Sequence, residues 1–361
     1  MNELINPPAL KKGDKVALIS SARGTIGEKW AQHEVELGIK RFESLGIIPV
    51  FMENSRKGVQ YLAEHPQARA DDFRQAFFDT SVSAVFTAIG GVDSYKVIPY
   101  LLQDNDLMVK IKQNPKIFLG YGDATVNHLF FYKMGIVTYY GPNFLCDFAE
   151  FGDGMLDYTA KYIRKLFSCE NIMEIEQSDV WYKDRRDFSI SQLGVNRLPQ
   201  KEKYERRVLC GNYVRRGKLL GGGLESLYEA YVGMRFPEEK KILAKTGILP
   251  EKQEWEEKIF FFDTCEHAYS PEIIEQMLVD LDKYICYSKL NGILIGKPMD
   301  EIYFLEYENV YKKVFKKYDV PVMYNINFGY SAPRCFLPYG CECYVDFDNK
   351  KVMIIENPLR K

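Results

Sequence analysis

The sequence predicts an α/β protein, with a parallel-sheet domain in its first part and a mixed α/β domain in its second. Three observations carry this. Residues 15–142 alternate short apolar runs with longer stretches of helical period, the pattern of a parallel sheet covered by helices. Beyond about residue 210 the runs stay short but lose that regular alternation. The chain has 361 residues, 46% of them hydrophobic and 27% charged, an ordinary globular balance with room for two domains at roughly 150 residues each.

The elements follow in order. "KVALIS" (15–20) is a strand, and "EKWAQHEVELGIKRFESLG" (28–46) is a helix that stops at a glycine. "IIPVFM" (47–52) is a second strand, "PQARADDFRQAFFDT" (66–80) an amphipathic helix, and "VSAVFTAI" (82–89) a third strand. "KIFLGYGDATVNHLFFYKMG" (116–135) reads as strand, turn and helix, and "IVTYYGP" (136–142) as one more strand. Residues 178–209 mix charge, aromatics and proline, which suits a boundary. After them come a glycine cluster (217–231), a strand at 258–264, a helix at 271–285 and "GILIG" (292–296). A helix around 305–317 and strands at 320–328 and 341–348 complete the chain. The expected organisation is a domain over 1–165, boundary strands and linker over 166–209, and a second domain over 210–361.

Bulk properties narrow the function. A formal net charge of −2 gives no electrostatic case for nucleic acid or an anionic membrane. The start carries no basic segment leading into an apolar one, and no apolar run approaches the ~18 residues that span a bilayer. A cytoplasmic location is expected. Eight cysteines form no CxxC pair; Cys341 and Cys343 lack a second pair to complete a zinc site, so reduced thiols and no metal are expected. Only four histidines are present: His33, His65, His128 and His267.

The stretch "FTAIGGVDSYKVIPYLL" (86–102) reads as strand, glycine turn and helix, with Ser94 where the turn becomes helix. It does not have GxGxxG spacing, so it is no dinucleotide fingerprint. Two readings stand. The glycines permit a tight turn that Asp93 or Ser94 caps. Alternatively the turn presents Ser94 as a nucleophile, with backbone N–H groups at the helix start facing an oxyanion.

The chain resembles the serine peptidase family of the LD-carboxypeptidases (muramoyltetrapeptide carboxypeptidases) and microcin C immunity proteins. The resemblance runs from "PPALKKGDKVALIS" through the 61–101 stretch, "FLGYGDATVNHL", "YYGPNF", "GKLLGGGLESL" and "FFFDTCEHAYSPE" to "NINFGYSAPRCFLPYG". The last two motifs are closer to the microcin-immunity branch. The resemblance implies an amino-terminal parallel-sheet domain and a carboxy-terminal domain built on a small β-barrel. It also implies a Ser–Glu–His triad without metal or organic cofactor, a small peptide, LD-peptide or peptidyl-nucleotide substrate, and a homodimer.

Carried over residue by residue, the resemblance puts the nucleophile on Ser94 and the oxyanion donors around Gly91 and Tyr95. The acid falls on Asp263, where the family has Glu, and the base on Tyr330, where the family has His. Gly122 replaces the serine of the family's GYSD motif, and Gly223 its Gly-Gly-Asn-Leu asparagine. A phenol titrates near ~10 and an imidazole near ~6.5, so Tyr330 accepts a proton poorly at neutral pH. His267 and His128 are substitute bases to consider. Asp123 binds a substrate amine or caps a helix. Glu225 meets substrate or merely follows the glycine turn. Trp181 and Tyr228 stack on a ligand or pack in the interior.

Overall fold

The computed structural model describes residues 4–170, 172–211 and 213–361. The chain divides into two compact units: Met1–Cys169 with Arg185–Arg197 and Pro358–Lys361, and Glu170–Asp184 with Leu198–Asn357.

In the first unit five strands pair in parallel: β1 (Lys15–Ile19), β2 (Ile48–Phe51), β3 (Val82–Thr87), β4 (Ile117–Gly120) and β5 (Tyr139–Tyr140), in the spatial order β5-β4-β3-β1-β2. Successive strand residues point to opposite faces, yet Val16–Ile19 and all of β4 are buried without a break. Both faces of the central strands are therefore covered, which is why they read as continuous apolar runs. The covering helices are α1 (Gln32–Leu45), α2 (Val59–Glu64), α3 (Pro66–Phe78), α4 (Ile98–Gln103), α5 (Asn105–Gln113), α6 (Thr125–Lys133) and α7 (Asp157–Lys165).

Their ends follow from local chemistry. α1 stops at Gly46, whose φ of 79° suits a left-handed cap. α3 starts on Pro66, where a missing N–H costs nothing. Asp104 caps α5 by accepting the Leu107 N–H. The 28–46 helix predicted from sequence begins later than expected: Lys29–Ala31 form a 3₁₀ turn, and α-helix starts at Gln32.

Strand order matters for the site. The chain leaves β1 for β2 on one side, then returns to place β3 on the other side of β1. The carboxyl ends of β1 and β3 thus lie side by side at a topological switch point, the place where parallel sheets commonly bind ligands. The last residues of the chain also join this unit: Arg360 N–H donates to Pro7 O (2.9 Å), Ala9 N–H to Arg360 O (3.0 Å), and Tyr139 Oη to Pro358 O (2.6 Å).

The second unit holds β6 (Met173–Glu174), β7 (Val180–Tyr182), β8 (Pro199–Lys201), β9 (Arg207–Cys210), β10 (Val214–Gly223), β11 (Ile259–Asp263), β12 (Gly292–Gly296), β13 (Val322–Ile326), β14 (Leu337–Pro338), β15 (Glu342–Asp346) and β16 (Lys351–Ile354). Eight of these form one sheet, β6-β16-β15-β10-β11-β12-β13-β9, a curled half-barrel; β7 and β8 pair separately. β10 is the seam. Its first half runs antiparallel to β15, and its second half runs parallel to β11. At Gly221 a Cβ would stand 1.8 Å from Phe261 O, so the close approach of β10 to β11 demands glycine there. The helices are α8 (Leu224–Tyr231), α9 (Pro237–Thr246), α10 (Pro271–Ile285) and α11 (Phe304–Phe315). The whole is the mixed α/β architecture expected from the sequence. No helix among the described residues is long and apolar enough to cross a membrane.

Candidate active site

In the first unit, β3 ends at Thr87 and the chain turns through Gly90–Asp93 into a 3₁₀ turn, Ser94–Lys96, before α4. Gly91 sits against the loop leaving β1: a Cβ there would lie 2.5 Å from Ala22 Cβ and 3.0 Å from Arg23 N. The two loops at the switch point are therefore packed closely enough that glycine is needed at 91.

A buried arginine ties the same two loops together. Arg69, on α3, has a fully buried side chain. Its Nη1 and Nη2 donate to Asp93 Oδ1 (2.7 Å) and Oδ2 (3.2 Å), and Nη1 also donates to the carbonyls of Ser21 (3.2 Å) and Ala22 (3.4 Å). A bidentate guanidinium–carboxylate pair fixes direction as well as distance. Lys96 Nζ lies 3.5 Å from Asp93 Oδ2 on the outer side. The sequence reading missed Arg69. The cue was present: Arg69 lies on the helical stripe of Phe73, Ala76 and Phe77, all buried, where an arginine must find a partner.

Asp123 meets Ser94 from the next loop. β4 ends at Gly120, and Gly122 adopts φ +67°, a left-handed turn that a serine would resist. Asp123 then lies in a 3₁₀ turn that runs into α6. Its Oδ2 accepts the Ser94 backbone N–H at 2.9 Å. The Ser94 hydroxyl is wholly buried and makes no hydrogen bond of ordinary geometry, although it lies near enough to Asp123 to bear on its ionisation. Burial pushes the Asp123 carboxyl above the usual aspartate range. The Ser94 hydroxyl and N–H pull it back, the Asp93 charge pushes it further up, and Arg69 pulls it down.

His128 is not a spare base. Its Nε2 donates to Gly120 O (2.9 Å), because a carbonyl can only accept, and its Nδ1 therefore accepts from the Thr138 hydroxyl (2.8 Å). Both nitrogens are occupied, and burial drives its pKa down to about 3. Tyr95 is buried beside Ser94.

In the second unit, Asp263 ends β11 and is fully buried. Its Oδ2 accepts the backbone N–H of Tyr330 at 3.0 Å. Gly329 precedes that N–H with φ +82°, and a Cβ on it would fall 2.1 Å from Asp263 Oδ2. The carboxylate is thus pressed onto backbone, which only glycine allows. The structure brings Tyr330 and Asp263 together through this main-chain contact, and Tyr330 is half-buried.

Glu225, in the first turn of α8, accepts the Cys265 N–H with both carboxylate oxygens, each at 3.1 Å. Burial of the carboxyl raises its pKa to about 7, against the Cys265 N–H and with a further push from Asp263. Tyr228 packs inside and donates to Asp280 Oδ2 (3.3 Å). Trp181 is buried beneath Lys297, whose Nζ lies 5.5 Å from the ring centroid and pairs with Glu202 (3.0 Å) and Glu301 (2.9 Å). His267 is exposed, its ring edge against Tyr269. Among the described residues, no group of three or more His, Cys, Asp or Glu could hold a metal ion.

Residues 16–141 match the LD-carboxypeptidase N-terminal domain, and residues 216–345 the LD-carboxypeptidase C-terminal domain. An MccF-like protein from Streptococcus pneumoniae, solved in complex with AMP, is 37% identical and superposes with a TM-score of 0.90, covering 96% of this chain and 99% of that one. YocD of Bacillus subtilis (strain 168) is 28% identical, covering 93% of this chain and 94% of the relative. The microcin C7 self-immunity protein MccF of Escherichia coli is 24% identical, covering 97% of this chain and 95% of the relative. MccF in complex with aspartyl sulfamoyl adenosine shares the fold, with a TM-score of 0.81 at 22% identity over 99% of this chain and 100% of that one. The chain belongs to the LD-carboxypeptidase family, peptidase family S66.

Proposed function

We propose that this protein is a serine carboxypeptidase-like hydrolase that cleaves a peptide or amide bond in a small peptide, LD-peptide or peptidyl-adenylate conjugate. Ser94 is the nucleophile. The N–H groups around Gly91 and Tyr95 face the oxyanion, and Asp263 and Tyr330 occupy the acid and base positions of the triad. Asp123 and Glu225 complete the substrate-facing polar set. The enzyme works in the cytoplasm as a homodimer, without metal or organic cofactor.

The observation that carries the reading is the built turn at Ser94. A serine at a parallel-sheet switch point has its backbone N–H held by a buried aspartate at 2.9 Å, and its loop is clamped by a buried arginine. An ordinary helix cap needs neither. The nucleotide end of the proposed substrate is supported by two relatives, the pneumococcal protein solved with AMP and MccF solved with aspartyl sulfamoyl adenosine.

The test is incubation with LD-tetrapeptides and with aminoacyl-sulfamoyl adenylates, read by mass spectrometry. Hydrolysis that disappears in Ser94→Ala supports the reading. Tyr330, in the base position, favours a second reading: a protein that binds such a conjugate without turning it over. Tight binding of the sulfamoyl adenylate with no product after prolonged incubation would establish that reading instead.

A further inference from the structure

We infer that Asp123 is the general base of this chain, the group that takes the Ser94 proton in place of the imidazole its family uses. The inference rests on Ser94 being the nucleophile.

Three observations lead to it. Asp123 Oδ2 is already anchored on Ser94, through the backbone N–H at 2.9 Å. A serine Oγ lies roughly 3 Å from its own nitrogen, so staggered rotation about χ1 brings the hydroxyl to the same carboxylate. The Ser94 hydroxyl is fully buried and has no other hydrogen bond of ordinary geometry among the described residues. The first unit's histidines are otherwise engaged. His33 bonds Phe188 O (2.9 Å), His65 bonds Tyr61 O (2.8 Å), and both His128 nitrogens are taken.

The surroundings suit a carboxylate base. Burial raises the proton affinity of Asp123 above that of a free aspartate, which makes it a better acceptor. The Ser94 hydroxyl and N–H, and to a lesser degree Arg69, favour the ionised form against that burial. The other charged or titratable groups of the elements packed around it are Asp93, Tyr95 and Lys96 on the Ser94 turn, Arg23 on the loop leaving β1, Tyr140 on β5, whose hydroxyl accepts the Gly122 N–H at 3.1 Å, and His128 on α6, which stays neutral.

In acylation the Ser94 O–H bond breaks and its proton moves to Asp123, while Oγ bonds to the substrate carbonyl carbon. The tetrahedral intermediate collapses, the C–N bond breaks, and Asp123 returns the proton to the departing nitrogen. Water then attacks the acyl-enzyme, gives its proton to Asp123, and the proton passes back to Ser94 Oγ as the acid leaves. Water is the one co-reactant, and no change of oxidation state occurs.

The experiment is the pH profile of Ser94 labelling by a fluorophosphonate, from pH 4 to pH 10, followed by intact mass. An Asp123 base predicts a labelling rate that rises to a plateau through one midpoint, raised above that of an ordinary aspartate. Tyr330→Phe keeps that midpoint, whatever it does to the amplitude. Arg69→Met moves it upward, because the cation that favours the ionised carboxyl is gone. Asp123→Asn lowers the plateau rate ~100-fold or more, and Asp123→Glu recovers part of it. A purely structural Asp123 would move no midpoint. If Asp123→Asn does not fold, the wild-type and Arg69→Met profiles decide alone. A rate that climbs through pH 9–10 and loses that limb in Tyr330→Phe overturns the inference but leaves Ser94 the nucleophile. A wild type that is folded yet unlabelled at every pH overturns both.

Discussion

The Ser94 turn and the Asp263 pocket hold their carboxylates in different ways. Around Ser94 the fixing contacts run from side chain to side chain or from side chain to loop backbone: Arg69 to Asp93, Arg69 to Ser21 and Ala22, and Asp123 to the Ser94 N–H. Around Asp263 the carboxylate is held by main chain, with the Tyr330 N–H as donor and Gly329 leaving the space. The first arrangement is a charge network, tunable by substitution and sensitive to ionisation. The second adds a steric fit, intolerant of volume at Gly329. A side-chain substitution at position 330 leaves this hydrogen bond its donor, because the backbone makes it.

That contrast gives tests. The largest effect is expected at Tyr330. Tyr330→His puts an imidazole at the proposed base position while keeping the N–H that Asp263 accepts, and should raise Ser94 labelling at pH 7 by ~100-fold or more. Ser94→Ala in that background should abolish labelling. No gain in a folded Tyr330→His would mean that position 330 does not address Ser94.

Arg69→Met should come next. It leaves Asp93 without its buried partner, and breaking such a pair costs about 3–5 kcal/mol, readable by denaturant titration. A loss below ~1 kcal/mol would show that the first network is not held by charge. In the pocket, Gly329→Ala combines left-handed strain with a clash against Asp263 Oδ2, for an expected loss of about 2–4 kcal/mol in denaturant titration. A loss below ~1 kcal/mol would contradict the steric account.

The smallest effect lies away from both sites and gauges burial of charge by itself. Glu34, on α1, is buried with Oε1 unpaired, and burial raises its pKa to about 7. The folded state then holds a proton that the unfolded chain loses near its ordinary value of 4.5. Stability from this group is full below pH ~4.5 and falls as pH rises toward 7. Glu34→Gln should therefore stabilise at pH 8 by about 1–2 kcal/mol and do little at pH 4. Equal effects at both would show that Glu34 does not titrate in this range.

Some of this was legible in the sequence and some was not. β12 and α10 were read to the residue, because Gly292 and Gly296 bound one and Pro271 opens the other. β5 was read as residues 136–142 but pairs only over Tyr139–Tyr140; Ile136 makes an isolated bridge to Ile5 instead. Apolar runs report burial, and burial continues where the ladder stops. Ser94 stood out from its glycines, but its partners did not. Asp123 is 29 positions away and Arg69 is 24 from Asp93, distances at which no local period applies. Nor does a single sequence show that the contact at Asp263 comes from a backbone rather than a side chain.

The return of residues 358–360 to the first unit has a consequence for biosynthesis. Pro7, Ala9 and Tyr139 are made early, but their partners Pro358 and Arg360 are made only after the whole of the second unit. These bonds of the first unit therefore cannot form until the second unit has been synthesised. Removal of residues 358–361 would damage the unit most of which is made first.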